Sequence, residues 1–355
     1  MDAALFGIHH SCRNFADPAA WGKNQFNSAF PVALISYMRH KQIGIPYICH
    51  TSESKTALRE ISVSELFGTD TPNEDLYFDF EARYDPYRRY VHDEMEKIDL
   101  VIKNYLTKEF IRPLEVKLTT LPDNSTCQCE NQADYGSELV LRPATFRYVA
   151  LSMTHALQDD RADIRACLGP ICTRIRHWES VQEMLTVRED MFKALDSILC
   201  RYADKQQPLL VQPIWKTIGK SAELADNCLD VFAWSDFSLA RLTLSSADEC
   251  NDKINRVQRS ALRLCRFLYE ASQSAESKVY QQPIYDAMSY DRQTDKEFSL
   301  VGKRTHAYMA CDRLTKPIIT KDEIKNIILG GGQKYLSPER RFDAILYFSR
   351  DLFND

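Results

Sequence analysis

Ile98-Asp99-Leu100-Val101-Ile102 and Leu114-Glu115-Val116-Lys117-Leu118 are two short β-prone runs separated by a polar segment around Tyr105 to Lys108, and together they read as a hairpin. In an antiparallel hairpin two residues face each other when they are equidistant from the turn centre. Pairing Asp99 with Glu115 puts that centre at residue 107, inside the polar segment. Side chains two apart on a strand share a face, so Glu115 and Lys117 point the same way and Asp99 sits beside Glu115 on the adjacent strand. Two carboxylates and one ammonium thereby converge. Upstream, Leu76, Phe78, Phe80 and Ala82 alternate with Tyr77, Asp79, Glu81 and Arg83, the period of a half-buried strand, which Asp85-Pro86 stops.

Outward from the hairpin the chain changes character. Before it, Asn27 to Arg39 suits a helix, with apolar Phe30, Leu34, Ile35 and Met38, and with Pro31 near the first turn. After Pro122 a Cys- and Asn-rich loop leads to Asp134, and beyond Pro143 helical periodicity dominates, most clearly over Val181 to Tyr202, Asp252 to Ala271 and Lys321 to Ile328. Leu209-Leu210-Val211, between Pro208 and Pro213, adds a short buried strand. The expected fold class is α/β, with a core over residues 1–157 continuous with a mainly helical part over 158–355.

Composition narrows the classes. The 355 residues are 44% hydrophobic and 27% charged, with a mean hydropathy of −0.39, which suits a globular chain with ample core. Forty-five Lys and Arg against 50 Asp and Glu leave a net charge of −5, so unselective coating of a polyanion is disfavoured. The longest apolar stretch, Phe30 to Met38, is interrupted by Ser36 and falls far short of the ~20 residues a membrane span needs. The N-terminus has neither the basic segment nor the long apolar segment of a secretory signal, and the eleven Cys have no framework spacing. The expectation is a cytoplasmic protein with reduced thiols and no membrane.

The convergence of Asp99, Glu115 and Lys117 has a mechanism attached. A hard divalent cation such as Mg²⁺ takes oxygen ligands and is commonly held by one or two carboxylates, with the Val116 carbonyl as a natural further ligand. A cation there polarises a phosphoryl oxygen, and Lys117 orients or helps deprotonate the attacking water, or neutralises charge on the phosphorus. That is the physical logic of metal-dependent phosphodiester hydrolysis.

Asp, a gap, then Glu-x-Lys on paired strands looks like the PD-(D/E)XK nuclease core, with Ile98 standing where that superfamily often has Pro. Longer words surround it: Trp21-Gly22-Lys23-Asn24-Gln25-Phe26-Asn27-Ser28-Ala29-Phe30-Pro31, Leu114 to Asp123, and Ala133-Asp134-Tyr135-Gly136-Ser137-Glu138 followed by Arg142-Pro143. These resemble the HgiDI and HindVP group of type II restriction endonucleases, over about residues 5–150. The resemblance implies a Mg²⁺-dependent homodimer that cuts double-stranded DNA within a palindrome of the form GRCGYC and is paired with a methyltransferase acting on the same site. In nucleases of this core a helix before the hairpin often adds a Glu or Gln to the metal shell; Gln25 is placed for this, and Glu81 is the rival.

Candidate DNA contacts follow from residue chemistry. Arg142 and Arg147, close after the hairpin, suit phosphates or base edges, and surface ion pairing is their other reading. Lys23 suits a phosphate, and Asn24 suits an adenine or a helix cap. At ~100° per residue Arg256, Arg259, Arg263 and Arg266 fall within an arc of roughly 80°, opposite Ile254, Val257, Ala261, Leu264, Cys265 and Leu268. That row reads either as a phosphate-tracking face or as a solvated one. Gly330-Gly331-Gly332 lacks the Lys-Ser/Thr ending of a P-loop and reads as a turn, while Cys127 and Cys129 lack a partner pair at zinc spacing. Two rivals stand beside the restriction enzyme: a structure-specific or repair nuclease on the same core, and a non-catalytic DNA-binding protein.

Overall fold

The computed structural model describes residues 8–12, 32, 35, 38–116, 139–213, 216–218, 221–223, 231–247, 253–290 and 298–300. Their centre is an eight-stranded mixed sheet. In chain order its strands are β1 (His10–Ser11), β2 (Ile45–His50), β3 (Thr56–Ile61), β4 (Leu76–Ala82), β5 (Ile98–Asn104) and β6 (Phe110–Val116), and after a two-stranded accessory pair begun by β7 (Leu139–Leu141) comes β8 (Pro208–Pro213). A second small pair, β9 (Lys216–Ile218) with β10 (Ser221–Glu223), precedes β11 (Val231–Ser235), and β12 (Phe298–Leu300) completes the pair with β7. The order across the large sheet is β1-β4-β5-β6-β8-β11-β2-β3.

The hairpin β5–β6 has the register that its sequence dictates. Leu100 pairs with Leu114, Val101 with Pro113 and Ile102 with Arg112, all equidistant from residue 107, before a bulge at Ile102/Lys103 shifts the pairing to Lys103 with Phe110. The turn closes because the Asn104 side chain accepts the backbone N–H groups of Leu106 and Thr107, both at 2.9 Å, while Lys108 takes a left-handed φ of 62°. β4 follows its alternation: Leu76, Phe78 and Phe80 are buried, and Glu81 is exposed. Asp85–Tyr90 then form a short 3₁₀ helix. Val32, Ile35 and Met38 are helical and buried, within the helix expected before the hairpin.

Besides that helix, seven α-helices are described: α1 (Val63–Phe67), α2 (Pro143–Ala156), α3 (Arg161–Cys172), α4 (Val181–Arg201), α5 (Asp236–Ser246), α6 (Arg256–Ala271) and α7 (Gln281–Ala287). Local chemistry starts several of them. Ser62 and Asn255 each form a reciprocal cap with the Glu65 or Gln258 that follows, and the Ser180 hydroxyl accepts the N–H of Glu183 at the start of α4. β2 and β11 are buried at every position, which requires cover on both faces of the sheet centre. The expected strand at Leu209-Leu210-Val211 is β8, and it lies against β6 in parallel, Glu115 beside Leu210. β8 and β11 therefore insert residues after 157 between β6 and β2, so both parts of the chain share one sheet. The helix expected at Lys321 to Ile328, the Gly330 to Gly332 turn and the Cys127/Cys129 loop lie outside the described residues. No helix among the described residues is long and apolar enough to cross a membrane.

Candidate active site

Leu100–Leu114 is the last backbone pair toward the open end of the hairpin, so the register sets Asp99 beside Glu115. Beyond that pair the ladder is continued by a side chain: the Val116 N–H donates to Asp99 Oδ2 at 2.9 Å. The Asp99 carboxylate thus docks on the backbone next to Glu115, and one of its oxygens has a fixed direction. An extended residue turns its N–H and C=O toward the same neighbour, so the Val116 carbonyl lies on the edge that faces Asp99.

Glu115 is only 9% exposed, an unusual place for a carboxylate. Its cover includes α2, where buried Thr145 donates from Oγ1 to Glu115 Oε1 at 3.1 Å. Tyr148, one turn further along α2, is also buried, and its hydroxyl has no hydrogen-bond partner among the described residues. Burial raises the Tyr148 pKa, with the charges of Glu115 and Glu96 adding to it and Arg83 opposing. Sequence reasoning missed Thr145 and Tyr148. The only signal for them was their helical spacing just after Pro143, which carries no information about the strand they cover.

Glu81 lies in register with Asp99 on β4, between the pairs Phe80–Leu100 and Ala82–Ile98, and takes a left-handed φ of 51°. Three neighbouring strands therefore carry carboxylates at one level: Glu81, Asp99 and Glu115. Among the described residues no group of three His, Cys, Asp or Glu side chains closes to metal-ligating distance. The oxygens that fit a hard cation are the two carboxylates of Asp99 and Glu115 with the Val116 carbonyl. Lys117, Gln25, Lys23 and Asn24 lie outside the described residues.

The arginines divide. Arg142 is exposed and occupies the position before α2, whose first residue is Pro143. Arg147 pairs with Glu96 at 2.6 Å, donates to Gln282 at 2.7 Å and lies 4.4 Å from the Tyr285 ring centroid. With Arg83, Lys97 and Gln282 it lines a cavity of about 480 Å³ next to the start of β5. Arg256 is half-buried, at the first residue of α6. Arg259 and Arg263 are 3% and 5% exposed, donating to the carbonyls of Ser289 at 2.9 Å and Tyr285 at 2.6 Å. Arg266 pairs with Glu270 at 2.7 Å and lies over Trp178. The expectation that α6 presents an open arginine face is corrected at Arg259 and Arg263: α7 and the turn after it cover them, and their guanidinium groups donate to the Ser289 and Tyr285 carbonyls.

The comparisons with known proteins agree on one group. A family profile described as HindVP restriction endonuclease matches residues 21–353. The chain is 37% identical to the type II restriction enzyme HgiDI of Herpetosiphon aurantiacus over 355 residues, 99% of this chain and 97% of the relative. It is 36% identical to the probable type II restriction enzyme HindVP of Haemophilus influenzae over 353 residues, 98% of this chain and 94% of the relative. No solved structure matches the chain. A mixed α/β chain with paired carboxylates at a strand end and relatives of this kind is a nuclease, with DNA as its substrate. The chain belongs to the HindVP restriction endonuclease family and is a type II restriction endonuclease.

Proposed function

We propose that this enzyme hydrolyses phosphodiester bonds of double-stranded DNA at a PD-(D/E)XK-like site, in which Asp99, Glu115 and the Val116 carbonyl hold Mg²⁺. The observation that carries this reading is the hydrogen bond from the Val116 N–H to Asp99 Oδ2, which brings the two carboxylates and the carbonyl to one strand end. The topology supports it: the antiparallel run β4–β5–β6, then α2, then β8 parallel to β6 is an arrangement suited to that core. Such a cation, when bound, supplies polarisation of a phosphoryl oxygen, acidification of a water and compensation of the charge that builds in an in-line displacement.

The residues divide the remaining work. Asp99, braced by the backbone, and Glu115, braced by α2, hold fixed negative charge where a cation is needed. Lys117, two residues after Glu115 in the sequence, orients the attacking water or helps to deprotonate it, or its ammonium offsets charge on the five-coordinate phosphorus. Gln25 completes the shell, with Glu81 as the alternative from β4. Exposed Arg142, together with Lys23, Asn24, Arg147 and Arg256, contacts DNA, while Arg259 and Arg263 hold the α6–α7 region behind it. Residues 1–157 carry the catalytic side chains, with β8 and β11 completing the sheet of the core, and the rest of 158–355 embraces DNA and dimerises. A two-fold homodimer sets one site on each strand of a GRCGYC palindrome, in cytoplasm where a cognate methyltransferase protects the same sequence.

Digestion of a sequenced plasmid with Mg²⁺, followed by end mapping, tests the proposal. Discrete fragments ending within GRCGYC are expected, with no cleavage in chelator. Fragments ending elsewhere would reject the sequence assignment, and a Lys117→Ala protein that folds and cuts as fast as the wild type would reject the site.

A further inference from the structure

Several of the hydroxyl groups buried in the described helices bond back to their own backbone. Thr243 donates to the Leu239 carbonyl at 2.8 Å and Ser260 to Arg256 at 3.0 Å, each four residues back. Thr145 differs. It is the third residue of α2, where the residue four back, Leu141, belongs to β7 rather than to the helix, and its hydroxyl proton goes across to Glu115 Oε1 at 3.1 Å. Thr145 is 1% exposed and Glu115 9%, so little water is present to substitute for that bond. A β-branched side chain at this position has few rotamers, so the donor is held in direction as well as in place.

We propose that Thr145 is a positioning residue for the reaction: its hydroxyl fixes the rotation of the Glu115 carboxylate in the orientation that takes the divalent cation. The inference rests on Glu115 being a ligand. The physical argument is preorganisation. A glutamate has three side-chain torsions to fix before it can bind a cation, and a carboxylate whose one oxygen is already held loses less freedom when the other oxygen is used. The two ligands are then held by different devices: Asp99 by the backbone of the neighbouring strand and Glu115 by a helix hydroxyl. Hydrogen-bond partners of metal ligands typically contribute about 10- to 100-fold to metal affinity.

The test uses the full-length protein, with Mn²⁺ as a spectroscopic probe of binding by electron paramagnetic resonance and Mg²⁺ titrations of cleavage. Thr145→Val, which keeps the shape and removes the hydroxyl, is expected to weaken Mn²⁺ binding ~10-fold and to raise the Mg²⁺ concentration for half-maximal cleavage by a similar factor. Thr145→Ser is expected to restore both, and metal-free DNA binding is expected to stay unchanged in each variant. Thr145→Ala gives the same reading if the valine protein does not fold. If removal of the hydroxyl leaves Mn²⁺ binding at the wild-type level while Glu115→Gln abolishes it, the role of Thr145 is overturned and the site assignment stands. If Glu115→Gln also binds Mn²⁺ like the wild type, the site assignment itself fails.

Discussion

Glu115 and Asp236 are both carboxylates sealed from solvent in the same α/β layer, at 9% and 0% exposure, yet their surroundings prepare them for different ends. Glu115 stands at a strand end beside a second carboxylate, with a helix hydroxyl on one oxygen. Asp236 opens α5 and accepts the N–H groups of Gln207 at 2.9 Å and Phe237 at 2.8 Å through the same Oδ1, while its own N–H donates to the Gln207 carbonyl. Burial pushes the Asp236 pKa up to about 7, with those backbone donors opposing the rise. Arg112, itself lowered by burial, donates to the Gln207 side chain at 3.1 Å and ties β6 to the same knot. One carboxylate is the proposed cation ligand, whereas the other joins the start of β8 to the start of α5.

The contrast is sharpest in activity against stability. Glu115→Gln or Asp99→Asn is expected to lower the cleavage rate on the order of 10³-fold, about 4 kcal/mol of transition-state stabilisation, with the melting temperature nearly unchanged. Single-turnover cleavage beside thermal melting would show this, and a rate within tenfold of wild type would remove the distinction. Asp236→Ala should do the reverse. It strands two buried N–H groups and is expected to cost about 3 kcal/mol of stability, read as a fall of several degrees in Tm, while activity per folded molecule persists.

Asp236→Asn refines the same point through pH. Between the ordinary aspartate value of 3.8 and about 7 the folded protein binds more protons than the unfolded chain, so this group makes stability fall as pH rises across that window and level off above it. Asparagine keeps Oδ1 and has no proton to lose. Its Tm should therefore exceed that of the wild type most above pH 7, with the gain fading toward pH 4. A gain independent of pH would mean that Asp236 does not titrate there.

The arginines repeat the comparison on a smaller scale. Arg263→Met is expected to cost ~1–2 kcal/mol of stability, because it removes the bond to the Tyr285 carbonyl and the stacking of the guanidinium 4.3 Å over the Tyr285 ring, without changing the salt dependence of DNA binding. Arg142→Ala should leave the Tm alone and lower the slope of log affinity against log salt by about 1. Equal slopes in the two variants would erase the difference drawn between the exposed and the covered arginine.

Much of the candidate site was legible because antiparallel pairing is local arithmetic. The polar segment at residues 105–108 fixed the turn, the apolar alternation of β4 fixed the faces, and Asp99 fell beside Glu115 without any knowledge of distant residues. The same arithmetic failed on α6. Its apolar arc was read correctly, but a helical wheel describes one helix and cannot register the second cover that α7 and Ser289 lay over Arg259 and Arg263. The hydrophobic arc of a helix predicts which face goes inward, and it is silent on whether the opposite face stays open.

The sequence by itself determined the hairpin, its register, the two carboxylates at its end and the family to which the chain belongs, since these rest on neighbours in the chain and on words of adjacent residues. Only the tertiary structure decided that Thr145 reaches Glu115, that β8 and β11 insert between β6 and β2, and that Asp236 is sealed beneath them. The physical reason is range. Strand pairing across a short turn is set by backbone geometry within about twenty residues, whereas the environment of a buried charge is set by whichever distant elements close over it, and no local pattern encodes their arrival.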